Sequence, residues 1–129
     1  MSRAVIDTSP ADGVAGPIVA AVAFDFNGTL ADDEPILESI FRELLAAQGV
    51  TLTREDYYGE LAGLSDREIA ERGLAMGGAP SNPQVVAELV EEKVRRYRRC
   101  LTKRSPLRPG AGALVRALAA RVPVAVVSG

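Results

Sequence analysis

Histidine is absent from the chain, and cysteine and aromatic residues are scarce. Without histidine the chain lacks the commonest general base and the commonest zinc ligand, which excludes serine-type triads and histidine-rich zinc sites. Its one cysteine, Cys100, cannot form an internal disulfide, and such usage suits a reducing compartment. We therefore expect a cytoplasmic protein whose chemistry depends on carboxylates, hydroxyls and backbone groups.

Long apolar runs and a large charge excess of one sign are also missing. No stretch approaches the roughly 18 consecutive apolar residues that a membrane-spanning helix needs, so we expect no membrane partner. Residues 1–17 contain acids and are broken by prolines and glycines, unlike a signal peptide, and are interpreted as a flexible leader. With 15 Lys+Arg against 17 Asp+Glu, the net charge of −2 gives no argument for nucleic acid as a partner.

Basic residues do cluster locally, near the end of a long predicted helix. The cluster consists of Arg95, Arg96, Arg98, Arg99, Lys103, Arg104 and Arg108. It is the strongest argument in the chain for an anionic ligand, but only one aromatic residue, Tyr97, accompanies it, and positive charge also suits a helix C-terminus. We interpret the cluster as a solvated helix face and expect no nucleic-acid partner.

The hydrophobic pattern predicts an α/β fold. Residues 18–26, "IVAAVAFDF", and the short run "VAVVSG" after Pro123 are typical of strands buried on both faces of a parallel sheet. Between them the apolar period is helical, beginning at Glu34, and capping patterns start at Thr53 and Ser65. A long helix is predicted from Pro83 to about residue 100, and another from about residue 110. The order strand, helical insert, helix, strand predicts a parallel sheet interrupted by a helical lid.

Small polar residues end both predicted strands. They are Asp25-Phe26-Asn27-Gly28-Thr29 after the first strand and Ser128-Gly129 after the second. If the strands are parallel neighbours, both ends meet at one edge of the sheet, where ligands bind in open α/β sheets. Phosphoryl transfer needs a carboxylate nucleophile, N–H and hydroxyl donors and a divalent cation, and this edge could supply the protein groups. Asp25 as a turn residue, Asn27-Gly28 as a hairpin turn and Ser128 as a chain-end residue are the alternatives.

The motifs "DFNGT" and "VVSG" resemble the first and second motifs of the haloacid dehalogenase superfamily, and the insert resembles the helical cap of its phosphoglycolate phosphatase and β-phosphoglucomutase branch. The resemblance implies a Rossmann-like core at residues 18–31 and 105–129, a cap at residues 32–104, and a Mg²⁺-dependent hydrolase of small phosphorylated metabolites. It implies that Asp25 is the nucleophile, and that Asp25 and the backbone carbonyl of Asn27 bind the metal. The implied phosphate ligands are Gly28, Thr29, Ser128 and Gly129.

The chain departs from that family at the position of Asn27, where the family has an aspartate that acts as general acid and base. An amide cannot exchange that proton, a function worth about 10²–10⁴-fold in rate. Deamidation at Asn27-Gly28 is one hypothesis for restoring the acid. The alternative function is therefore a catalytically impaired phosphate-binding or regulatory module.

The family's third and fourth motifs, a basic residue and an acidic pair, have no counterpart in the chain. We therefore expect it to be the N-terminal part of a longer enzyme, inactive or weak alone, whose partner is a C-terminal core segment. The first cap helix also lacks the histidine that mutases of this branch carry, which favours hydrolysis over isomerisation.

Several polar and aromatic residues allow two interpretations each. Asp32, Asp33 and Glu34 could supplement a metal site or cap the first helix, and capping is the simpler explanation. Tyr57 and Tyr58 could reach a substrate, but lid packing is expected. Cys100 is expected to be a small buried hydrophobe.

Overall fold

The computed structural model describes residues 18–128, so the predicted leader and Gly129 lie outside the described residues. This part of the chain forms two compact units. The helical unit is Glu34–Ser105, and the strand unit combines residues 18–33 with residues 106–128. The predicted boundaries of core and cap remain predictions.

The elements follow the predicted order. In sequence they are β1 (Val22–Asp25), α1 (Glu34–Ala47), α2 (Arg54–Asp56), a π-helix (Tyr57–Leu61), α3 (Asp66–Met76), α4 (Pro83–Lys103), α5 (Ala111–Ala119) and β2 (Val124–Val127). Among the described residues, no helix is long and apolar enough to span a membrane.

The two strands pair in parallel, as predicted. Val22 is the register partner of Val124, and Asp25 is the partner of Val127. The first strand is shorter than the predicted range 18–26, because the ladder of hydrogen bonds extends only as far as its four-residue partner. The apolar pattern identifies residues that favour an extended backbone, whereas the partner strand determines how many of them are paired.

The helical unit contains most of the buried apolar surface. The predicted stripe of α1 is buried: Leu37, Ile40, Phe41, Leu44 and Leu45 are all less than a tenth exposed. The last four of these pack with residues of α3 and α4 in one cluster. Leu45 faces Gly73 of α3 so closely that a Cβ built on the glycine would lie 2.5 Å from Leu45 Cδ1. The glycine therefore lets α1 and α3 approach each other.

Side chains that the sequence marks as caps fix the helix starts. Thr53 and Ser65 each accept a hydrogen bond from the backbone N–H three residues later, and Asp56 and Glu68 return the contact to the capping residue. Both predicted capping boxes are therefore confirmed. Each carboxylate also accepts from both the backbone N–H and the hydroxyl of its capping residue. These hydrogen bonds lower the pKa of Asp56 and Glu68, because they stabilise the charged forms.

The π-helix buries a tyrosine in the helical unit. The side chain of Tyr57 is fully buried and its hydroxyl donates to Glu34 Oε1 at 2.9 Å. Burial, followed by the nearby Glu34 carboxylate, raises the pKa of Tyr57. Tyr58 meets its ring edge-on at 5.4 Å and is itself 38% exposed. The predicted packing role of Tyr57 is confirmed.

The strand unit has a thin core by comparison. Leu30, Ala31 and Ala111 are its buried apolar residues. Several large apolar side chains of this unit are more than 40% exposed; they are Ile18, Val19, Leu107, Leu114, Val126 and Val127. A two-stranded sheet is marginal by itself, and here it leaves apolar surface in contact with solvent.

Candidate active site

The candidate nucleophile, Asp25, lies at the carboxyl end of β1. Its side chain is exposed, and its Oδ2 accepts a hydrogen bond from Thr29 Oγ1 at 3.4 Å. Because β1 and β2 are parallel, the residues that follow β2 lie at the same edge. The sequence therefore brings an accessible carboxylate and a hydroxyl together at the edge where ligands bind in α/β sheets.

The loop after Asp25 is tightly coiled around one carbonyl group. The amides of Thr29, Leu30 and Ala31 all donate to the Phe26 oxygen, at 3.2, 3.0 and 3.0 Å. This coil requires a left-handed residue, and Gly28 supplies it with a φ of 72°. A Cβ at Gly28 would meet no atom within 4 Å, so the backbone conformation is what favours glycine here.

The side chain of Asn27 joins the loop to the end of β2. Ser128 Oγ donates to Asn27 Oδ1 at 3.2 Å, and Asn27 Nδ2 donates to Asp33 Oδ2 at 2.5 Å. The predicted meeting of the two strand ends is therefore present in the structure. Asn27 is the residue that bridges them.

The carboxylate of Asp33 is fully buried beneath this loop. Besides Asn27 it accepts the backbone N–H of Gly28, at 3.2 Å from Oδ1. The sequence pattern suggested a helix cap or an additional metal ligand, and neither interpretation includes these contacts with the preceding loop. The only sequence signal for these contacts is that the two polar residues Asn27 and Asp33 lie six positions apart.

Arg108 also contacts the loop, a position that its place in the basic cluster of the sequence did not indicate. Its Nη2 donates to the Gly28 carbonyl at 3.2 Å and lies 3.7 Å from Asp32 Oδ1. The sequence pattern places Arg108 in the basic cluster of the long helix, but it belongs to the strand unit. No local motif distinguishes Arg108 from the other arginines. Its position arises because the chain re-enters the strand unit from residue 106 onward.

Other members of the basic cluster pair with acids inside the helical unit. Arg95, Arg96 and Arg99 all approach the Glu92 carboxylate, and Arg96 also contacts Glu43 at 3.0 Å. Hydrogen bonds from Arg96 and Arg95 lower the pKa of Glu92. These ion pairs fit the interpretation as a solvated helix face.

A groove between α1 and α4 borders this face. It has a volume of about 600 Å³, and Cys100 is one of its lining residues. Cys100 packs against the hydrophobic cluster as expected, but it is half-buried rather than fully buried.

The oxygen atoms at the strand end suit a hard divalent cation. Asp25 offers a carboxylate and Asn27 a backbone carbonyl, and Mg²⁺ is usually held by one or two carboxylates together with waters and substrate phosphates. Within residues 18–128, no group of three or more acidic, histidine or cysteine side chains is placed to hold a metal alone. The residues present therefore suit Mg²⁺ but provide only part of its ligands. Substrate phosphate and water would supply the others.

An α/β unit with an aspartate loop at the end of its first strand and a helical insertion directly after it defines a known class of hydrolases. A family model described as haloacid dehalogenase-like hydrolase matches residues 19–129. The chain belongs to this family, and the predicted family and fold class are confirmed.

Phosphoglycolate phosphatases and CbbY proteins are among the relatives of the chain. The chain is 31% identical over 91 residues to the phosphoglycolate phosphatase of Caulobacter vibrioides, covering 70% of this chain and 38% of the relative. It is 35% identical over 80 residues to CbbY of Rhodobacter capsulatus, covering 60% and 35%. A CbbY mutant from Rhodobacter sphaeroides, crystallised with xylulose-1,5-bisphosphate, matches with a TM-score of 0.71 and 30% identity, covering 86% and 51%. The chain thus spans about half the length of these relatives, or less.

Proposed function

We propose that the protein is a Mg²⁺-dependent phosphatase for a small phosphorylated metabolite. The observation that carries the proposal is the exposed Asp25 carboxylate at the end of β1, with the Thr29 hydroxyl bonded to it. The family membership and the phosphatase relatives support the same chemistry. Because the chain spans only part of these relatives, substrate and activity belong to the proposal.

In the proposed reaction a carboxylate oxygen of Asp25 attacks the phosphorus of the substrate. The bond from phosphorus to the leaving oxygen breaks, and the phosphoryl group becomes an aspartyl-phosphate on Asp25. Water then attacks this phosphorus, releases inorganic phosphate and regenerates the carboxylate. Bound Mg²⁺, held by Asp25 and the Asn27 carbonyl, would neutralise phosphate charge and orient the ester.

The hydroxyls of Thr29 and Ser128 are the proposed donors to the phosphate oxygens, and Gly129 would add its backbone N–H. The Gly28 amide donates to Asp33, so the contribution of Gly28 is the left-handed turn that shapes the loop. Removing either hydroxyl should weaken binding of inorganic phosphate more than it changes folding, since Thr29 Oγ1 and Ser128 Oγ both bond within an exposed part of the loop.

Asn27 restricts the class of substrate. An amide cannot protonate the leaving oxygen, so esters with good leaving groups and mixed anhydrides should react, whereas simple alkyl phosphates should react slowly. A mutant of CbbY that carries asparagine in place of an aspartate was crystallised with a sugar bisphosphate. In that relative, such a change is compatible with ligand binding.

We propose that the helical unit acts as a cap that selects the substrate and excludes bulk water during the reaction. Hydrolysis is favoured over isomerisation because α1 carries no histidine. The exposed apolar side chains of the strand unit, including Leu114, Val126 and Val127, suggest that a further core segment packs there. That segment is the proposed partner.

The test compares Mg²⁺-dependent phosphate release from an aryl phosphate and from an alkyl phosphate, by the protein that includes the proposed C-terminal core segment. The proposal predicts turnover of the aryl ester, with the alkyl ester slower by about 10²-fold or more because the acid is missing. Equal rates on both esters would show that a proton donor exists elsewhere and would contradict the assignment of Asn27.

The second candidate is a phosphate-binding or regulatory module without turnover. The observation that favours it is the engagement of Asn27 by Asp33 and Ser128 at the position where the family has its acid. Retained binding of inorganic phosphate with no release from either ester would select the module.

A further inference from the structure

The buried Asp33 carboxylate and the Asn27 amide are complementary in charge and in hydrogen bonding. Asn27 Nδ2 donates to Asp33 Oδ2 at 2.5 Å, and the Gly28 amide donates to Asp33 Oδ1 at 3.2 Å. Asp33 has no exposed surface, so its charge depends on such donors. One acceptor side chain therefore holds two consecutive residues of the catalytic loop.

An aspartate at position 27 would conflict with this arrangement. It would replace the amide donor by a second carboxylate at hydrogen-bond distance from a buried one, where like charges repel strongly. The hydroxyl of Ser128 could still donate to either side chain, since it meets the Oδ1 of Asn27. An amide at position 27, unlike a carboxylate, supplies the donor toward Asp33.

We propose that Asp33 is a positioning residue for the active-site loop and that Asn27 and Asp33 are a matched pair. Asp33 orients the Asn27 side chain and holds the left-handed turn at Gly28. The catalytic consequence rests on the proposed phosphatase function, but the structural coupling does not.

The pair can be exchanged while the contacts with Gly28 and Ser128 are kept. In a protein with both Asn27→Asp and Asp33→Asn, the new amide at position 33 donates to the new carboxylate at position 27. Its oxygen still accepts the Gly28 amide, and the new carboxylate still accepts from Ser128. Asn27→Asp alone places two carboxylates next to each other with no donor between them. Asp33→Asn alone places two amides next to each other, and the single amide oxygen at position 33 replaces the two carboxylate oxygens that accept from Asn27 and Gly28.

The experiment is a double-mutant cycle read by hydrogen exchange of the Gly28 amide and by NMR of the side-chain amide at position 27 or 33. Each single variant should speed Gly28 exchange on the order of tenfold to a hundredfold, because a buried hydrogen bond to a charged group is lost or opposed. The exchanged double variant should return to within about threefold of wild type. Its new side-chain amide should show the slow exchange that the Asn27 amide shows in the wild type.

Arg108→Ala is the matched control, because Arg108 contacts the carbonyl of the same glycine from the exposed side. It should change Gly28 exchange by less than about threefold, as expected for an exposed charged contact. If both single variants fail to fold, recovery of folding in the double variant is the expected rescue.

Failure of the double variant to fold, or exchange that is unchanged in Asp33→Asn, would overturn the matched pair. Phosphate release is measured on the same variants, each completed with the proposed C-terminal core segment, to separate the two proposals. Rescue of Gly28 exchange without turnover in any protein would leave the coupling standing and remove the phosphatase function. Turnover by the wild type without rescue of Gly28 exchange in the double variant would support the phosphatase function and overturn the matched pair. With both standing, the double variant should hydrolyse alkyl phosphates faster than the wild type, since it carries an acid at position 27.

Discussion

Replacing Tyr57 with phenylalanine isolates the one buried hydroxyl of the π-helix. The ring stays, and so does its edge-on contact with Tyr58, but the 2.9 Å hydrogen bond to Glu34 is lost. Hydrogen bonds to charged groups contribute about 1.5–3 kcal/mol, and neutral ones about 1 kcal/mol. Because Glu34 is only partly buried, we expect a loss of about 1–2 kcal/mol in the free energy of unfolding near neutral pH.

The same hydroxyl makes this difference depend on pH. Burial and Glu34 raise the pKa of Tyr57 above its usual value of 10.0, so the folded protein retains a proton that the unfolded chain releases. Its contribution is fully present below about pH 10 and is lost as the pH rises further, with a slope approaching 1.4 kcal/mol per pH unit. The stability advantage of wild type over Tyr57→Phe should therefore disappear at about pH 11.

Urea unfolding followed by circular dichroism provides the assay, since most of the helical signal comes from the helical unit. Both proteins are measured at about pH 8 and at about pH 11, and only their difference is used, so that the titration of lysines and other tyrosines cancels. Tyr58→Phe is the control: its ring is 38% exposed, and although partial burial also raises the pKa of Tyr58, loss of this more exposed hydroxyl should change the pH dependence less than loss of the Tyr57 hydroxyl. A difference that stays constant between the two pH values would refute the reasoning.

Two further predictions concern packing and capping. Gly73→Ala should destabilise the protein by about 1–3 kcal/mol, because the new Cβ would meet buried Leu45, whereas Gly59→Ala, with open space around it, should be neutral or stabilising by up to about 1 kcal/mol. Thermal unfolding of both variants checks this, and equal behaviour would contradict the close approach. Ser65→Ala should cost about 1 kcal/mol through loss of the α3 cap, whereas Ser81→Ala, an exposed substitution just before α4, should cost much less; similar losses in both would argue against the cap.

Local patterns predicted the helices well because their causes are local. The apolar period of α1 and the capping box at Ser65 depend on residues within three or four positions of each other, and both are present as expected. The long helix α4 extends to Lys103, a little beyond the predicted end near residue 100. Helix ends are the least determined by sequence, since the last turn can fray or extend.

Contacts between distant residues could not be predicted in the same way. The apolar pattern identified the two segments that pair in parallel. The paired length of β1, however, depends on a strand about a hundred positions later. The contact of Arg108 with the loop has the same origin. The contacts of Asp33 with the loop were missed for a different reason: a carboxylate ahead of a helix usually caps it, and only the fold shows that Asn27 and Gly28 lie within reach.

The family itself could be predicted because its first motif occupies five consecutive positions at a strand end. Family membership is confirmed, whereas the roles of Asp25, Asn27 and the phosphate-binding residues remain predictions. These roles depend on how each residue interacts with bound phosphate and metal, which measurements of binding and of turnover test.

The most direct test of the central claim is phosphate release from an aryl phosphate by the protein completed with its proposed C-terminal core segment, as wild type and as Asp25→Asn, with Mg²⁺ present and the fold checked by circular dichroism. The account predicts that the wild type turns over and that the variant loses about 10³-fold or more of its rate, because no other carboxylate is proposed to attack phosphorus. Undiminished turnover by folded Asp25→Asn, or no turnover by the wild type, would contradict it.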